Sequence, residues 1–512
     1  MSLARGIGRN TLFMAFGRFT VLGVWFLVTP RMLGALGVER FGFWSLLLAL
    51  TGSIATLDLG LGVAVTRFTA ELDAVAGRDQ VPRLVARSFL AQAGLVVLLV
   101  VPAFLFRDAI LGLFHVPAAW WSEARLAFAL ALVGLAGGMA ANLLTGALQG
   151  LQRMDLVALV TVPAAGLLLF GVLQAPHFAM PLVALLVAQL AYTAALALGL
   201  AVALGVACRA GAPARPDAAG ASFPRSSFLR VLSLGAWLQL TSIIALGQVH
   251  LDKFLLGMGV ALGPVGTYEI GLRAAFLASL LPTFFLSALM PAATVIEARG
   301  DTQTRAELYR RGLEPYLLLV LLLTGGVIAL APALLEAWLG APPATAVFML
   351  RAIALAQCAS LCTGIASTTV RAADQAYRES VYLGVAFALH LTLSLIGMRL
   401  WGWQGVLFGF VLAATASAVW FVVGVERWLG LEPLVTTLRA AFPAVIASAC
   451  AAATGALACR LVADMAAGRP RGLAGFAVGA IAFGVTAGAV LALVFPGTWR
   501  RLQDRARVIV QP

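Results

Sequence analysis

Apolar stretches of about twenty residues, parted by short polar turns, recur along the whole chain. They fall near 11–31, 41–65, 86–106, 123–147, 156–174, 180–206, 231–256, 265–290, 313–331, 347–368, 379–398, 403–424, 440–459 and 473–495. Each is long enough to cross about 30 Å of hydrocarbon as a helix. Backbone left unpaired in lipid is too costly for any other single-segment structure. The pattern therefore predicts an all-α polytopic membrane protein of about fourteen transmembrane helices. Composition agrees. Of 512 residues, 62% are hydrophobic and 11% charged, where soluble domains average about 45–50% and about 25%.

Charge then orients the chain. The formal net charge is +13, and Lys253 is the single lysine. An even number of spans puts both termini on one side. That side carries more than twice the arginines of the other, including Arg5, Arg9, Arg67, Arg78, Arg153, Arg209, Arg305, Arg371, Arg378, Arg427 and Arg501. By the positive-inside rule both termini are expected in the cytoplasm, with the N-terminal span retained as an anchor. No basic and aromatic run has the look of a nucleic-acid face.

The connections are short. The longest, 207–230, is rich in Ala, Pro, Gly and Arg and reads as a flexible cytoplasmic linker after the sixth span. The chain repeats across it. Leu33-Gly34 and Leu256-Gly257 lie 223 residues apart, with Gly42 and Gly266 in matching places beyond them. AELDAVAGRD ends at Asp79 and VIEARGD at Asp301, 222 residues later, and Gln152 precedes Gln375 by 223. An even number of spans per unit makes such repeats parallel, related by an axis along the membrane normal. The expected organisation is 1–206 (helices 1–6), the linker 207–230, 231–424 (helices 7–12), and 425–512, two extra helices with a short basic tail.

Ionisable residues inside spans are costly and mark function or helix pairing. Arg18 lies about two turns into the first span, Asp58 in the second within LDLGLG, and Arg67 at that span's inner end. In the seventh span Ser233, Trp237, Thr241, Gln248 and Asp252 share one helical face, with Lys253 beside it. In the eighth, Glu269 and Arg273 stand four apart with the acid first, the favourable order for a pair, and Arg273 is the most deeply placed cation. Each has a structural alternative. Arg18 could snorkel, Arg67 could anchor at the surface, Asp58 could cap or pair locally, Asp252–Lys253 could be a plain interfacial pair, and Glu269–Arg273 could be a neutralised pair holding two helices in register. Cations converging at mid-membrane would suit a phosphate or another anion.

Several chemistries are missing. The one lysine precedes Phe254, so there is no Walker A loop, and no Asp-x-Asp or G-x-S-x-G occurs. The four histidines and five cysteines show no metal or disulfide spacing. The expectation is a transporter, not an enzyme, with no metal or cofactor, driven by the membrane potential or by a proton or sodium gradient. Asp58, Asp252 and Glu269 are the candidates for ion coupling.

The run RMLGALGVERFGFWSLLLALTGSIATLDLGLGVAVTRFTAE resembles the start of bacterial polysaccharide flippases of the multidrug/oligosaccharidyl-lipid/polysaccharide (MOP) exporter superfamily. The matching features are Leu33-Gly34, Gly42-Phe43, Asp58 to Gly62, Arg67 and Glu71. ALQGLQRMD and LDKFLLGMGVALGPVGTYEI are similar to the family as well, and the likeness runs over most of 1–430. The resemblance implies two six-helix lobes around a central cavity that opens alternately to each side. It implies a polyprenyl-pyrophosphate-linked oligosaccharide as substrate, flipped from the cytoplasmic to the periplasmic leaflet of the bacterial inner membrane for O-antigen or exopolysaccharide synthesis. By position, Arg18, Arg67, Arg273 and Lys253 take the role of holding the pyrophosphate, with Gln248 and Thr241 beside them. Expected partners are the bilayer, the lipid-linked oligosaccharide and polysaccharide polymerase or export machinery, around a monomer. Rival readings are a lipid II flippase, which also has fourteen spans, a multidrug or cation antiporter, a membrane glycan polymerase or ligase, and a non-transporting assembly scaffold.

Overall fold

Helix α1 (Leu3–Ala55) runs 53 residues, which at about 1.5 Å per residue is far too long for one crossing. Gly37, at φ 71° and ψ 170°, divides it into two limbs. A side chain would make that conformation costly. The break falls where the sequence separates its first two spans.

The computed structural model describes residues 3–56, 60–75, 78–209, 247–298, 302–462 and 468–501, with residues 244 and 503, and most side chains from Thr20 onward. After α1 come α2 (Leu61–Val75), α3 (Val81–Leu105), the short α4 (Arg107–Leu113), α5 (Trp121–Gly150), α6 (Met154–Gln174) and α7 (Pro181–Arg209). Then follow α8 (247–259), α9 (Leu262–Ala275), α10 (Leu280–Ala298), α11 (Thr302–Ala329), α12 (Ala331–Leu339), α13 (Ala346–Cys362) and α14 (Gly364–Ala372). The chain closes with α15 (Ala376–Trp428), α16 (Val435–Arg460) and α17 (Arg469–Leu493). No strand occurs among the described residues.

Eleven helical segments among the described residues are long and apolar enough to span a bilayer. α1 holds two crossings, and so does the 53-residue α15, broken at Trp401 and Gly402 (φ 59°). Thirteen crossings thus lie among the described residues, and α8 falls in the seventh of the fourteen stretches that hydropathy predicts, most of which lies outside them.

By contacts the chain forms two units, 1–266 and 267–512. In the first, α5 packs on α2 and α7, and α1 packs on α6. Val65, Leu143, Leu148, Leu200 and Ala207 fill its core. Glycine sets the closest approaches. A Cβ on Gly150 would lie 2.5 Å from the Thr66 carbonyl oxygen, so α2 meets α5 backbone to backbone. The segment 247–266 also belongs to this unit. A Cβ on Gly42 would overlap the Leu262 carbonyl oxygen, and one on Gly266 would overlap that of Val38. The two glycines that the sequence pairs by repeat thus sit against each other. The contact boundary falls after them, not at the linker, which lies almost wholly outside the described residues.

In the second unit α16 and α17 pack on each other and on α11 and α12, while α13 packs on α15. Tyr309, Leu313, Tyr316, Val320, Ile365 and Val370 make its core.

The repeat is visible in the backbone. Gln152 (φ 58°) and Asp374 (φ 55°) both adopt the left-handed conformation rare for residues other than glycine. Each ends a helix in the same way. Arg153 N–H donates to the Leu148 carbonyl at 2.9 Å, and Gln375 N–H to that of Val370 at 2.8 Å. These are Schellman caps. They correspond at an offset of 222, one less than the pairing of the two glutamines implies.

Candidate functional site

Span eight departs from a plain helix. α9 ends at Ala275, a 3-10 turn covers Phe276–Ser279, and α10 resumes at Leu280. A 3-10 interruption inside a helix often marks a hinge or a functional site. Arg273 lies in the last turn of α9, where the helix dipole favours a cation. Its Nε donates to Oε1 of Glu269 at 2.6 Å, and the two side chains are 17% and 9% exposed. The pair is thus mostly removed from water, and its geometry is the i,i+4 one that the sequence predicts. Its neighbours along α9, Tyr268, Ile270 and Ala274, are buried. Gly271 lets α9 approach α13, since a Cβ there would stand 3.0 Å from Leu350 N.

In α8, Asp252 is fully buried and Lys253 is 5% exposed. Both belong to the first unit, where a Cβ on nearby Gly257 would meet Leu46 and Phe114. Burial this complete is unusual for a lysine and an aspartate side by side, and it sets them apart from an interfacial surface pair. Gln248 is half-buried on the same helix.

Arg67 is different. It projects from α2, 66% exposed, and pairs with Glu71 one turn on at 3.1 Å. The α2 face carrying Thr66 and Thr69 is taken by Gly146 and Gly150 of α5, so Arg67 is left on the open side. The backbone of Arg18 lies within α1, but its side chain is outside the described residues, as are Asp58 and Thr241 altogether. The structure therefore brings together Glu269 with Arg273, and sets Asp252 beside Lys253 in one buried segment.

Other polar groups come into place only in the fold. Glu123 on α5 is buried, accepts from Leu182 N–H at 3.3 Å and pairs with Arg40 at 3.2 Å. Glu426 at the end of α15 is fully buried and accepts from Thr437 Oγ1 and Leu434 N, both at 2.6 Å, and from the Tyr309 hydroxyl at 3.4 Å. Tyr316 donates its hydroxyl to the Leu361 carbonyl at 2.7 Å, an acceptor at the break between α13 and α14. The one signal in the sequence for Glu123 and Glu426 is an acid near a span end, which is common.

A family model described as "Polysaccharide biosynthesis protein" matches residues 7–296. No curated protein matches the chain. Among solved structures, an inward-facing multidrug resistance MATE family transporter of the MOP superfamily is similar with TM-score 0.68 at 14% identity, over 82% of this chain and 98% of that one. The lipid II flippase MurJ in an inward closed conformation gives TM-score 0.68 at 12% identity, over 95% of this chain and 99% of that one. The Vibrio cholerae MATE transporter VcmN gives 0.56 at 18%, over 85% and 98%. At these identities the likeness defines the fold, and the family match covers more than half of the chain. The chain belongs to the polysaccharide biosynthesis protein family and has the fold of MOP-superfamily transporters.

Proposed function

We propose that the protein is a flippase that carries a polyprenyl-pyrophosphate-linked oligosaccharide across the bacterial inner membrane by alternating access, from the cytoplasmic to the periplasmic leaflet, with both termini in the cytoplasm. One observation carries the reading: in a chain of the polysaccharide biosynthesis family, an arginine, Arg273, is held inside a span at a helix break. An intramembrane cation costs several kcal/mol unless it serves a pathway or a pair. Glu269 offsets part of that cost, and an anionic head group arriving at Arg273 would offset more. A diphosphate cannot cross bare hydrocarbon, but it can cross where guanidinium groups replace its water. Arg18, Arg67 and Lys253 are the further candidates for that role, with Gln248 and Thr241 lining it and Asp58, Asp252 and Glu269 available for ion coupling.

A second reading, a lipid II flippase, draws on the match to MurJ over 95% of the chain. It needs the same diphosphate chemistry. A cation antiporter would want acids without a buried arginine beside them, and Arg273 weighs against it.

The test is leaflet translocation in proteoliposomes with a fluorescent polyprenyl-pyrophosphate oligosaccharide. Wild type should exceed protein-free vesicles, while folded Arg18→Ala and Arg273→Ala should fall to that background. Transport of lipid II in preference to the oligosaccharide would favour the second reading. Wild-type flux at the background rate for both would overturn the proposal.

A further inference from the structure

At one edge of the second unit, the end of α10 and the start of α11 meet both ends of α15 around Trp428. Two guanidinium carbons stand over the same indole, Arg305 at 5.1 Å and Arg378 at 5.3 Å from the ring centroid. Arg305 is fixed. Its Nη2 pairs with Glu297 at 2.7 Å, and its side chain is 16% exposed. Its buried Nε has no hydrogen-bond partner among the described residues. Arg378 is half-buried and reachable. Its Nε donates to Gln375 Oε1 at 3.3 Å, and its guanidinium also stands 5.5 Å from the Tyr377 ring. Among the described residues no carboxylate pairs with it.

Two cations thus share one ring, with Glu297 the one acid paired to either among the described residues. They lie within about 10 Å of each other, a range at which like charges still repel appreciably in salt. An anion set beside both would remove that repulsion. The planar guanidinium forks match phosphate oxygens in particular. The surroundings say which phosphate. Trp and Tyr beside arginines at helix ends are the composition of the headgroup level of a bilayer. Tyr377 and Val381, one turn apart on α15, are 57% and 50% exposed, an apolar strip for an acyl chain to follow. Basic pockets between membrane helices are known to take anionic headgroups.

We propose that Arg305, Trp428 and Arg378 hold the phosphate of an anionic phospholipid. Arg378 contacts the phosphate, Arg305 supplies the second, fixed charge, and both stand against the Trp428 ring. The site does not depend on what the protein transports.

Native mass spectrometry of the full chain in neutral detergent, titrated with phosphatidylglycerol or phosphatidylcholine, tests this. Wild type should bind one phosphatidylglycerol about fivefold more tightly than phosphatidylcholine, the effect of one well-placed arginine at a membrane surface. Arg378→Gln should lose that preference. Arg427→Gln, a neighbouring exposed cation, should keep it. If Arg378→Gln does not fold, Arg378→Lys carries the test, since it retains the charge without the fork and should weaken the preference in part. Equal phosphatidylglycerol binding by wild type and a folded Arg378 variant overturns the proposal. So does displacement of the lipid by millimolar inorganic phosphate, which would make this a site for a free anion, and so does a loss in Arg427→Gln equal to that in Arg378→Gln.

Discussion

Glu269 and Arg273 can be read as a strut or as half of a binding site, and the two readings part under substitution. Removing one member of a buried pair strands the other charge, at a cost of about 3 kcal/mol or more. Replacing both leaves no stranded charge. Arg273→Ala should therefore lower the thermal transition of the detergent-solubilised protein, while Glu269→Gln/Arg273→Gln should recover much of it. Translocation should remain lost in the double variant if Arg273 holds the substrate anion. A double variant that regains stability and flux together would reduce the pair to a strut. Asp252 and Lys253 show the limit of residue-level reading. Their sequence context, near a span end, fits an interfacial pair, whereas the fold buries both.

At the scale of elements, three helices have their N-termini capped by a glutamate from another helix. Glu123 serves α7 through Leu182 N–H, Glu426 serves α16 through Leu434 N–H and Thr437, and Glu336 serves α17 through Gly468 N–H at 2.7 Å. The first N–H groups of a helix have no partner within it, and the dipole there favours an anion. Glu336 is also bound by Arg471 at 2.8 Å. Burial pushes its carboxyl up, but the Arg471 guanidinium and the Gly468 N–H outweigh that and hold it below the ordinary carboxylate value. A depressed folded-state pKa means stability that is present at neutral pH and lost as pH falls through that depressed value. Glu336→Gln should accordingly cost about 1 kcal/mol at pH 7. The difference from wild type should shrink below about pH 4, as followed by thermal unfolding across pH. A gap that persists unchanged at acid pH would mean the charge plays no part in the cap.

For the whole molecule, the energetics of the proposed transport turn on sign. A membrane potential negative inside favours outward movement of anions by about 2.3 kcal/mol per charge per 100 mV. In proteoliposomes with an imposed potassium diffusion potential, negative on the side holding the substrate should speed flipping of the pyrophosphate lipid, and the reversed potential should slow it. Rates indifferent to both polarity and pH or sodium gradients would remove the potential as a driving force. The C-terminal pair bears on this scale too. Glu314 takes Thr498 at 2.7 Å and Arg501 at 2.6 Å, and Glu336 takes Arg471, so α17 and the residues after it are tied to α11 and α12 by carboxylates on both. The extra helices are built into the second unit.

Hydropathy alone determines that this chain lies in a membrane as a set of helices and how many there are, because twenty apolar residues admit one solution in lipid. The order of small motifs determines the repeat, and the i,i+4 spacing determines the Glu269–Arg273 pair, since neighbours on one helix face meet whatever the rest of the protein does. Tertiary structure decided the rest. That the turns at Gln152 and Asp374 correspond, at the same 222-residue offset as Asp79 and Asp301, shows only in their left-handed caps, whose residue types differ although their hydrogen bonds match. The contact of Gly42 with Gly266 and the cross-helix glutamate caps depend on which helices become neighbours, and no local spacing encodes that. The assembly of Arg305, Trp428 and Arg378 draws residues 50 and 123 positions from the tryptophan onto its ring, and only the return of α15 at Gly402 brings its two ends together.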